Sequence, residues 1–574
     1  MNTWTKMTHN HTIKWGVDVR RLRDCLLQDQ TFSPRGRFTF GTNQTSMQGS
    51  PGGTGIDNDV ASFLLGVPND VARDVNTYFP SLRATQIFSF MADQWAVSPR
   101  LTASLGLRWE LYPPMTPEHS GGFSNYNPVD NTLVIAGVGS NPSNLGMNYY
   151  KHYLAPRLGL AYRLRQDPKY GTVLRSGFGF SYTPFPDNTY AYNYPVRSNN
   201  EYVTSGGNSY TAVFLPDGRL GTFSNGLPAP TAVPIPSDGI IRNPDPTQAY
   251  VYIPKDYKNA YVLTWNFAVQ QALPFHLNLD VAYVGSHGVD TGASVNLNPG
   301  LILGLGSAGQ PYFQLFGRSV AETQYYQGFS SSFNSLQVKF DRRFSRGLTM
   351  TTAFTWQKAM DFQSGDNGGL ARWYINPKRN YARADFDRTL NYVQSYVYRL
   401  PFGKGERLVS HGPVAAIVGG WQLTGILTLR TGAPLTFTDG AINLNATGNT
   451  ATPNQIAPIK VLHGINVGNV WFDRSSFAMP LQGTFGSMGR AVWSGPGQFR
   501  LDAGLSRWVN FNERWKMQIR ADSYNFTNTP FFSNPNTDRN SQNFGYVTGT
   551  VGSGSGVNGF AAARSIQLAL KIVF

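Results

Sequence analysis

The most distinctive chemical motif in the sequence is the run from Gly304 to Gly309, which has the glycine spacing of dinucleotide-binding loops. Such a loop needs the N-terminus of a helix aimed at the pyrophosphate, within a βαβ unit. Pro311 and a strand-like Phe313 follow instead, and no βαβ pattern surrounds the run. A glycine-rich loop is therefore the favoured interpretation.

A calcium site is the second chemical possibility, at Asp57, Asn58 and Asp59. The glycine and the remaining ligands of a calcium loop are absent, so capping of a short helix over 60–66 is favoured. The eight histidines are scattered, with His9 and His11 the only close pair. The sequence contains no His-Glu-x-x-His, nucleophile elbow or phosphate-binding loop. We therefore expect no catalytic residue, no cofactor and no metal ligand.

Composition narrows the class of protein. Charged residues make up 14% of the 574 residues, against roughly 25% in an ordinary soluble domain, while 60 Gly, 36 Pro and 14% aromatic residues argue against an all-helical protein. Cys25 is the single cysteine, which excludes a disulfide framework. The net charge of +15 is spread out, with no basic run longer than Arg20-Arg21, so we expect no nucleic acid. Anionic lipopolysaccharide and anionic solutes are the alternative partners.

An alternation of period two runs through the chain. Residues 101–111 place Leu, Ala and Trp on one parity and Thr, Ser, Gly, Arg and Glu on the other, as in a β-strand. The pattern recurs, more or less strongly, at 12–22, 36–42, 83–95, 154–164, 172–182, 260–270, 277–285, 333–342, 348–357, 389–400, 421–431, 499–508, 515–525 and 564–574. We predict about fifteen strands.

The connections alternate between short and long. Short links are expected at 96–100, 165–171, 271–276, 343–347 and 509–514, with links of middling length at 23–35 and 401–420. Long polar segments are expected near 43–82, 113–153, 184–258, 286–332, 358–388, 432–498 and 526–563. Tight hairpins at one end and long ones at the other are typical of a transmembrane antiparallel β-barrel with short periplasmic turns and long extracellular loops.

In such a barrel, the two sets of alternating side chains face different environments. The apolar parity would face lipid and the polar parity a wide aqueous lumen, while Trp95, Trp421, Trp508 and Trp515 near the turns would sit at the membrane interface. The predicted lumen-facing charges are Arg108, Glu110, Arg157, Arg163, Arg175, Lys339, Asp341, Arg520 and Asp522.

The C-terminus carries the most specific local signal. Its last strand places apolar side chains on one parity and ends on an aromatic residue, which resembles the β-signal read by the bacterial barrel-assembly machinery. The residues that would form this signal are Ile566, Leu568, Leu570, Ile572 and Phe574.

Several phrases along the chain resemble TonB-dependent transporters, and more closely the Oar-like outer-membrane receptors of Gram-negative bacteria. They are NHTIKWGVD (10–18), ASFLLG (61–66), LTASLGLRWE (101–110), AYVGS (282–286), LPFGKG (400–405), GWQLTG (420–425) and RADSYNFTN (520–528). The resemblance implies a 22-stranded barrel, an N-terminal plug, contact with TonB through a plug segment, and uptake of a ligand that the sequence does not identify.

This sequence departs from that family plan at its start, where neither a signal peptide nor a plug is recognisable. We therefore expect residues 1–574 to be a partial barrel domain, either a C-terminal fragment or a truncated gene product, which lacks the plug and seven strands of the 22. Two alternatives stay open. One is a passive structural or adhesive outer-membrane barrel, and the other is a secreted all-β carbohydrate-binding protein or enzyme.

Overall fold

The computed structural model describes residues 1–27, 32–41, 43–45, 56–76, 78–79, 81–167, 169–203, 213–215, 217–227, 234–246, 248–345, 347–365, 373–466, 468–512, 514–551 and 563–574. Its main feature is one 18-stranded sheet, which consists of fifteen long strands and three strands of two residues each. The long strands are β1 (Asn2–Thr8), β2 (His11–Asp24), β3 (Leu82–Ala96), β4 (Leu101–Leu111), β5 (Tyr153–Arg165), β6 (Thr172–Tyr182), β7 (Tyr261–Leu273), β8 (Leu277–Asn296), β9 (Thr323–Ser345), β10 (Leu348–Asp361), β11 (Leu390–Arg399), β12 (Trp421–Arg430), β13 (Gln498–Asn510), β14 (Lys516–Tyr524) and β15 (Ser565–Val573).

Each long strand pairs antiparallel with the next one along the chain. Among the described residues, β1 pairs only with β2 and β15 only with β14, so the sheet has two open edges. Because the number of long strands is odd, the two edge strands run in the same direction. The predicted all-β antiparallel sheet of about fifteen strands is confirmed.

The register fixes which side chains share a face of the sheet. Directly opposed residues of an antiparallel pair point to the same face, and Ser104 opposes Gly159 whereas Leu105 opposes Leu158. Followed from strand to strand, this rule separates a face rich in aliphatic and aromatic residues from a face rich in Gly, Ser, Thr and charged residues. We call them the apolar face and the polar face.

The links between strands sort by length between the two ends of the sheet. One end, the turn end, carries the links 9–10, 97–100, 166–171, 274–276, 346–347, 400–420 and 511–515. The opposite end, the loop end, carries the links 25–81, 112–152, 183–260, 297–322, 362–389, 431–497 and 525–564. Both edge strands run towards the turn end.

The strand predicted at 36–42 is present only as Arg37–Thr39 among the described residues, and it belongs to a separate three-stranded sheet rather than to the main sheet. The ring centroids of Phe38 and Phe40 lie 4.9 and 5.1 Å from that of Phe223. The alternating aromatic residues therefore pack within a group of loops and not on a face of the main sheet. The long strand that the sequence analysis missed is β1, and one link, 25–81, replaces the two links predicted at 23–35 and 43–82.

The hairpin of β8 and β9 extends beyond its predicted ends. Its link is 297–322 rather than 286–332. The ladder shifts register between Gly288 and Gly292, and such bulges let a strand bend and continue beyond a regular sheet. The other long links begin and end within a few residues of the predicted 113–153, 184–258, 358–388, 432–498 and 526–563.

Short elements occupy the links. The α-helices are α1 (Ile56–Leu64), α2 (Pro311–Phe316) and α3 (Gly412–Val418); the 3₁₀ helices are Asn43–Thr45, Asp187–Ala191, Gly306–Gly309, Pro377–Asn380 and Arg474–Ser476. The short strands are Arg37–Thr39, Asp70–Val75, Thr116–Pro117, Ser124–Asn127, Thr132–Ile135, Ser198–Val203, Ile240–Arg242, Val251–Tyr252, Ala382–Arg383, Pro434–Leu435, Asn454–Gln455, Phe477–Ala478 and Trp493–Ser494. Within the described ranges, every helix is too short or too polar to cross a membrane.

Two of the motifs weighed in the sequence have different surroundings from those expected. The glycine run 304–309 leads into α2, so Phe313 is helical rather than part of a strand. Asp57 and Asp59 lie inside the first turn of α1 instead of preceding it. They still lie where negative charge favours a helix, near its N-terminus.

The buried apolar cores lie in the long links. One core joins the links 431–497 and 525–564, and consists of Leu435, Phe437, Trp471, Phe472, Phe477, Met488, Phe544 and Val547. A second joins the links 112–152 and 183–260 to the start of β3, and consists of Leu82, Phe123, Ala136, Leu145, Met147, Tyr190 and Ile253. The described parts of these four links, which the sequence presents as polar loops, therefore contain packed apolar cores at the loop end.

Candidate functional site

The charged residues predicted to line a lumen share the polar face. On β4, Arg108 and Glu110 oppose Ala155 and Tyr153 of β5, and the register carries this face through each following strand. The residues that lie on it are Arg108, Glu110, Arg157, Arg163, Arg175, Lys339, Asp341, Arg520 and Asp522. Residues far apart in sequence thus contribute to one charged surface.

Most of these charges pair along a single strand. The ion pairs are Arg108 Nε–Glu110 Oε1 at 2.6 Å, Lys339 Nζ–Asp341 Oδ2 at 2.8 Å and Arg520 Nε–Asp522 Oδ2 at 2.6 Å. Residues i and i+2 of a strand project from the same face, so opposite charges at this spacing meet. Sequence analysis missed two further pairs with the same spacing, Asp18–Arg20 and Arg500–Asp502, both 2.8 Å long.

A cavity of about 370 Å³ opens on the polar face between β10 and β14, lined in part by Arg520 and Asp522. Gly504 allows the wall to close here, because a Cβ at this position would lie 2.5 Å from Asp522 Oδ1 and 2.6 Å from Thr424 Oγ1. Asp502 also lines the cavity, and its Oδ1 accepts a hydrogen bond from the Asn525 backbone N–H at 2.8 Å. The cavity presents charges of both signs and hydroxyl groups, which suits a polar solute.

Three arginines of the polar face differ from the rest. Arg157 and Arg163 on β5 and Arg175 on β6 are exposed, and no side chain of the three makes a hydrogen bond or ion pair within the part of the chain that the structure describes. The polar face therefore combines strands whose charges are paired and other strands, β5 and β6 among them, that carry unpaired positive charge.

The residues of the predicted β-signal lie on or next to the last strand. The register places the apolar residues of β15 on the apolar face, and Phe574 follows the strand and stacks on Trp515 with a centroid distance of 5.2 Å. The exposed fractions are 65% for Ile566, 77% for Leu568, 64% for Leu570, 53% for Ile572 and 84% for Phe574. Nothing in the described chain covers this edge.

The apolar face as a whole has the character of a lipid-facing surface. Leu105 and Leu158 in the middle of β4 and β5 are about half exposed, at 46% and 50%. Aromatic residues flank this band: Trp109, Trp265 and Trp356 lie nearer the loop end, and Trp15, Trp95, Trp421 and Trp515 nearer the turn end. An apolar band between aromatic girdles is characteristic of transmembrane barrels.

The expectation for Trp508 needs correction. This residue opposes Gln518 and lies on the polar face rather than with the other tryptophans. Proximity to a turn was the only signal used for Trp508, whereas the parity of β13 determines its direction.

The loop end is held together by buried arginines, of which Arg318 is the most enclosed. Its guanidinium and the Glu322 carboxylate are fully buried, with Nη2 and Oε1 2.5 Å apart. Arg318 also donates to the carbonyls of Pro244 and Asp245 at 3.1 and 3.0 Å, and Glu322 accepts from the Tyr250 backbone N–H at 2.7 Å. Burial raises the pKa of Glu322 to about 7, against the lowering effect of Arg318. The pair joins the links 183–260 and 297–322.

Two other arginines join further links. Arg490 forms an ion pair with Asp361 at 2.9 Å and donates to the Asn380 carbonyl at 3.1 Å. Arg539 donates to Asp439 Oδ1 through Nη2 at 3.0 Å. Sequence analysis missed all of these residues, because their partners are more than 70 positions away or lie in irregular loops.

A search of the described residues finds no group of three or more His, Cys, Asp or Glu side chains placed to hold a metal ion. His11 instead contacts Asp93, with Nδ1 and Oδ2 2.6 Å apart, next to Trp95.

An open antiparallel sheet with one apolar exposed face, one charged face, and links sorted by length defines the class of outer-membrane β-barrel proteins. The chain belongs to the outer membrane beta barrel domain family, whose model matches residues 1–567. Its fold class, a transmembrane antiparallel barrel, and its location in the outer membrane follow from that membership.

The chain is also similar to solved outer-membrane proteins. The alignment with the siderophore receptor PiuA from Acinetobacter baumannii includes 99% of this chain and 54% of PiuA, at 10% sequence identity and with a TM-score of 0.43. The alignment with the ferripyoverdine receptor of Pseudomonas aeruginosa includes 99% of this chain and 46% of the receptor, at 9% identity and with a TM-score of 0.42. The alignment with the copper transporter OprC includes 99% of this chain and 55% of OprC, at 10% identity and with a TM-score of 0.40. The chain thus spans about half the length of these proteins. No curated protein matches it.

Proposed function

We propose that residues 1–574 are the larger part of the barrel of a TonB-dependent, Oar-like receptor that takes up an unidentified ligand. The family membership and the Oar-like phrases support this assignment. The observation that carries it is the pair of open edges at β1 and β15.

The edges argue for a wider barrel than fifteen strands. Because β1 and β15 run in the same direction, joining them directly would require a parallel ladder in an otherwise antiparallel barrel. An odd number of additional strands joins them with antiparallel ladders throughout, as bacterial single-chain barrels require. Seven further strands give 22, the size of the plugged outer-membrane transporters.

In this proposal the other parts of the receptor lie outside residues 1–574. They are the missing strands and the plug, whose segment contacts TonB. The barrel-assembly machinery recognises β15 through Ile566, Leu568, Leu570, Ile572 and Phe574, and the apolar face contacts outer-membrane lipid and lipopolysaccharide. The role is binding and transport rather than catalysis, with no cofactor and no nucleic-acid partner.

Ligand recognition falls to the loop end and the polar face. Long loops on a rigid scaffold are the usual carriers of recognition, and buried ion pairs such as Arg318–Glu322 hold these loops in one arrangement. The cavity lined by Arg520 and Asp522 offers further polar contacts on the polar face of the sheet, between β10 and β14.

The proposal is tested by comparing metabolite depletion from the growth medium of three strains of the host bacterium: the wild type, a strain lacking this gene, and a strain lacking TonB. We expect at least one compound to be depleted by the wild type and retained by both deletion strains. A compound retained only by the gene deletion would indicate passive passage, and no difference among the strains would favour a structural or adhesive barrel.

A further inference from the structure

We infer that the polar face of β5 and β6 is a binding site for a small multivalent oxyanion, a polyphosphate or a polycarboxylate. The site consists of Arg157, Arg163 and Arg175. This inference rests on the proposed function in one respect, because the polar face must line water.

The first argument is the contrast in charge pairing along the polar face. Elsewhere on this face, Arg108, Lys339, Arg500 and Arg520 each have a carboxylate two residues away at 2.6–2.8 Å. Arg157, Arg163 and Arg175 have Gly159, Ala161, Arg165, Val173 and Gly177 among their neighbours at that spacing, and no carboxylate. The positive charge of this segment is therefore left for a partner outside the described chain.

The second argument is the position of the arginines relative to one another. Ala161 opposes Arg175 and Val173 opposes Arg163, so Arg163 and Arg175 are diagonal neighbours on one face. Diagonal neighbours lie about 7–8 Å apart, and adjacent like charges repel. A bound oxyanion removes this repulsion and accepts paired N–H donors from each guanidinium. Arg157 extends the site along β5. It lies four residues from Ala161, the residue opposite Arg175, which corresponds to about 13 Å at 3.3 Å per residue.

The third argument is the open surface between the arginines. On the polar face, Gly159 opposes Gly177 and Gly179 opposes Arg157, so backbone forms part of the floor, beside the side chains of Ser104 and Asn266. Acidic groups near this segment are engaged: Asp167 pairs with Arg165 at 3.1 Å, Glu110 pairs with Arg108, and Asp280 accepts a hydrogen bond from Gln270 at 2.7 Å. An anion would meet arginine side chains and glycine backbone here.

The test uses the full chain purified from outer membranes in detergent, with tripolyphosphate and tricarballylate as probes and maltotriose as a neutral comparison. Isothermal titration calorimetry at low salt measures the dissociation constants of the wild type, of R163Q/R175Q and of K339Q. The Lys339 variant is the matched control, because it removes a charge from the same face while Asp341 keeps its hydrogen bond from Thr351 at 2.8 Å. Circular dichroism verifies the fold of each variant.

We expect at least one anion to bind the wild type, R163Q/R175Q to weaken that binding about tenfold or more, as loss of charge-assisted hydrogen bonds implies, and K339Q to stay close to the wild type. Preference for one probe distinguishes a phosphate ligand from a carboxylate ligand. The inference is overturned if neither anion binds, if R163Q/R175Q binds as the wild type does, or if K339Q loses as much affinity. Since this measurement requires no TonB, its failure is distinguishable from failure of the uptake proposal.

Discussion

At the scale of single residues, the buried arginines of the loop end connect different links and leave little freedom in how these links are arranged. Arg318 forms an ion pair with Glu322 and donates hydrogen bonds to two backbone carbonyls of another link. Both side chains of the pair are fully buried. A buried pair of this kind gives little net stability when intact, but breaking it leaves an uncompensated charge. These arginines therefore fix one arrangement of the loops.

The substitution Arg318→Met should destabilise the loop end by about 3–5 kcal/mol, the cost of leaving a carboxylate buried without its partner. Limited proteolysis of the links 183–260 and 297–322 measures the effect. Arg242→Met is the control, since Arg242 and Asp238 form an exposed pair 2.8 Å apart, and it should leave the cleavage rate unchanged. Equal cleavage rates for both variants would contradict this role of Arg318.

The raised pKa of Glu322 makes the loop end sensitive to pH. Its carboxyl keeps a proton in the folded chain between its ordinary pKa of 4.5 and about 7, where the unfolded chain has lost it. The folded state binds more protons in that range, so stability falls as the pH rises from about 5 to about 7. Cleavage of the link 297–322 should therefore be faster at pH 8 than at pH 5.5, relative to an unfolded reference substrate. In Glu322→Gln that difference should disappear, and its persistence would assign the effect to another group.

At the scale of single elements, alternation determines the surroundings of each side chain. Adjacent positions of β4 illustrate this: Ser104 lies on the polar face and Leu105 on the apolar face. The substitution Leu105→Arg should destabilise the folded chain in lipid by about 2–4 kcal/mol, because it places a charge near the bilayer midplane. Ser104→Arg, one position away, should be nearly neutral. Urea unfolding in liposomes measures both, and similar costs at the two positions would contradict the assignment of faces.

The last strand provides a test at the edge of the sheet. Replacing Leu568 and Leu570 with Asn should reduce insertion into the outer membrane several-fold, since both side chains belong to the exposed apolar parity of β15. Lys571→Gln alters the opposite face of the same strand and serves as the control. The amount of protein in outer-membrane fractions is measured, and undiminished insertion of the Leu568/Leu570 variant would remove this strand from the assembly signal.

Period-two patterns predicted fourteen of the fifteen long strands, because half-buried strands repeat every two residues. At 36–42 they located a strand, Arg37–Thr39, but not its sheet, because Phe38 and Phe40 pack on Phe223 in a loop assembly. They also missed β1, which lies in a segment too short and polar to stand out. The faces of the charged residues were predictable from parity, whereas Arg318, Arg490 and Arg539 depend on contacts between distant loops that no local pattern encodes.

At the scale of the whole molecule, the chain reverses the usual arrangement of a soluble protein. Apolar side chains are exposed over one face of the sheet, while the buried cores lie in links rich in Gly, Asn and Pro. This arrangement is stable only if lipid covers the apolar face and water the polar face, because the exposed apolar surface would otherwise cause aggregation.

The most direct test of this arrangement is the accessibility of spin labels along β5 in liposomes. Single cysteines at positions 158–161, in a Cys25→Ser background, carry a nitroxide, and collision with oxygen and with a water-soluble nickel complex is measured. We predict that Leu158 and Leu160 positions report lipid, with high oxygen accessibility, and that Gly159 and Ala161 positions report water. Uniform accessibility along the strand, or the opposite alternation, would contradict the account.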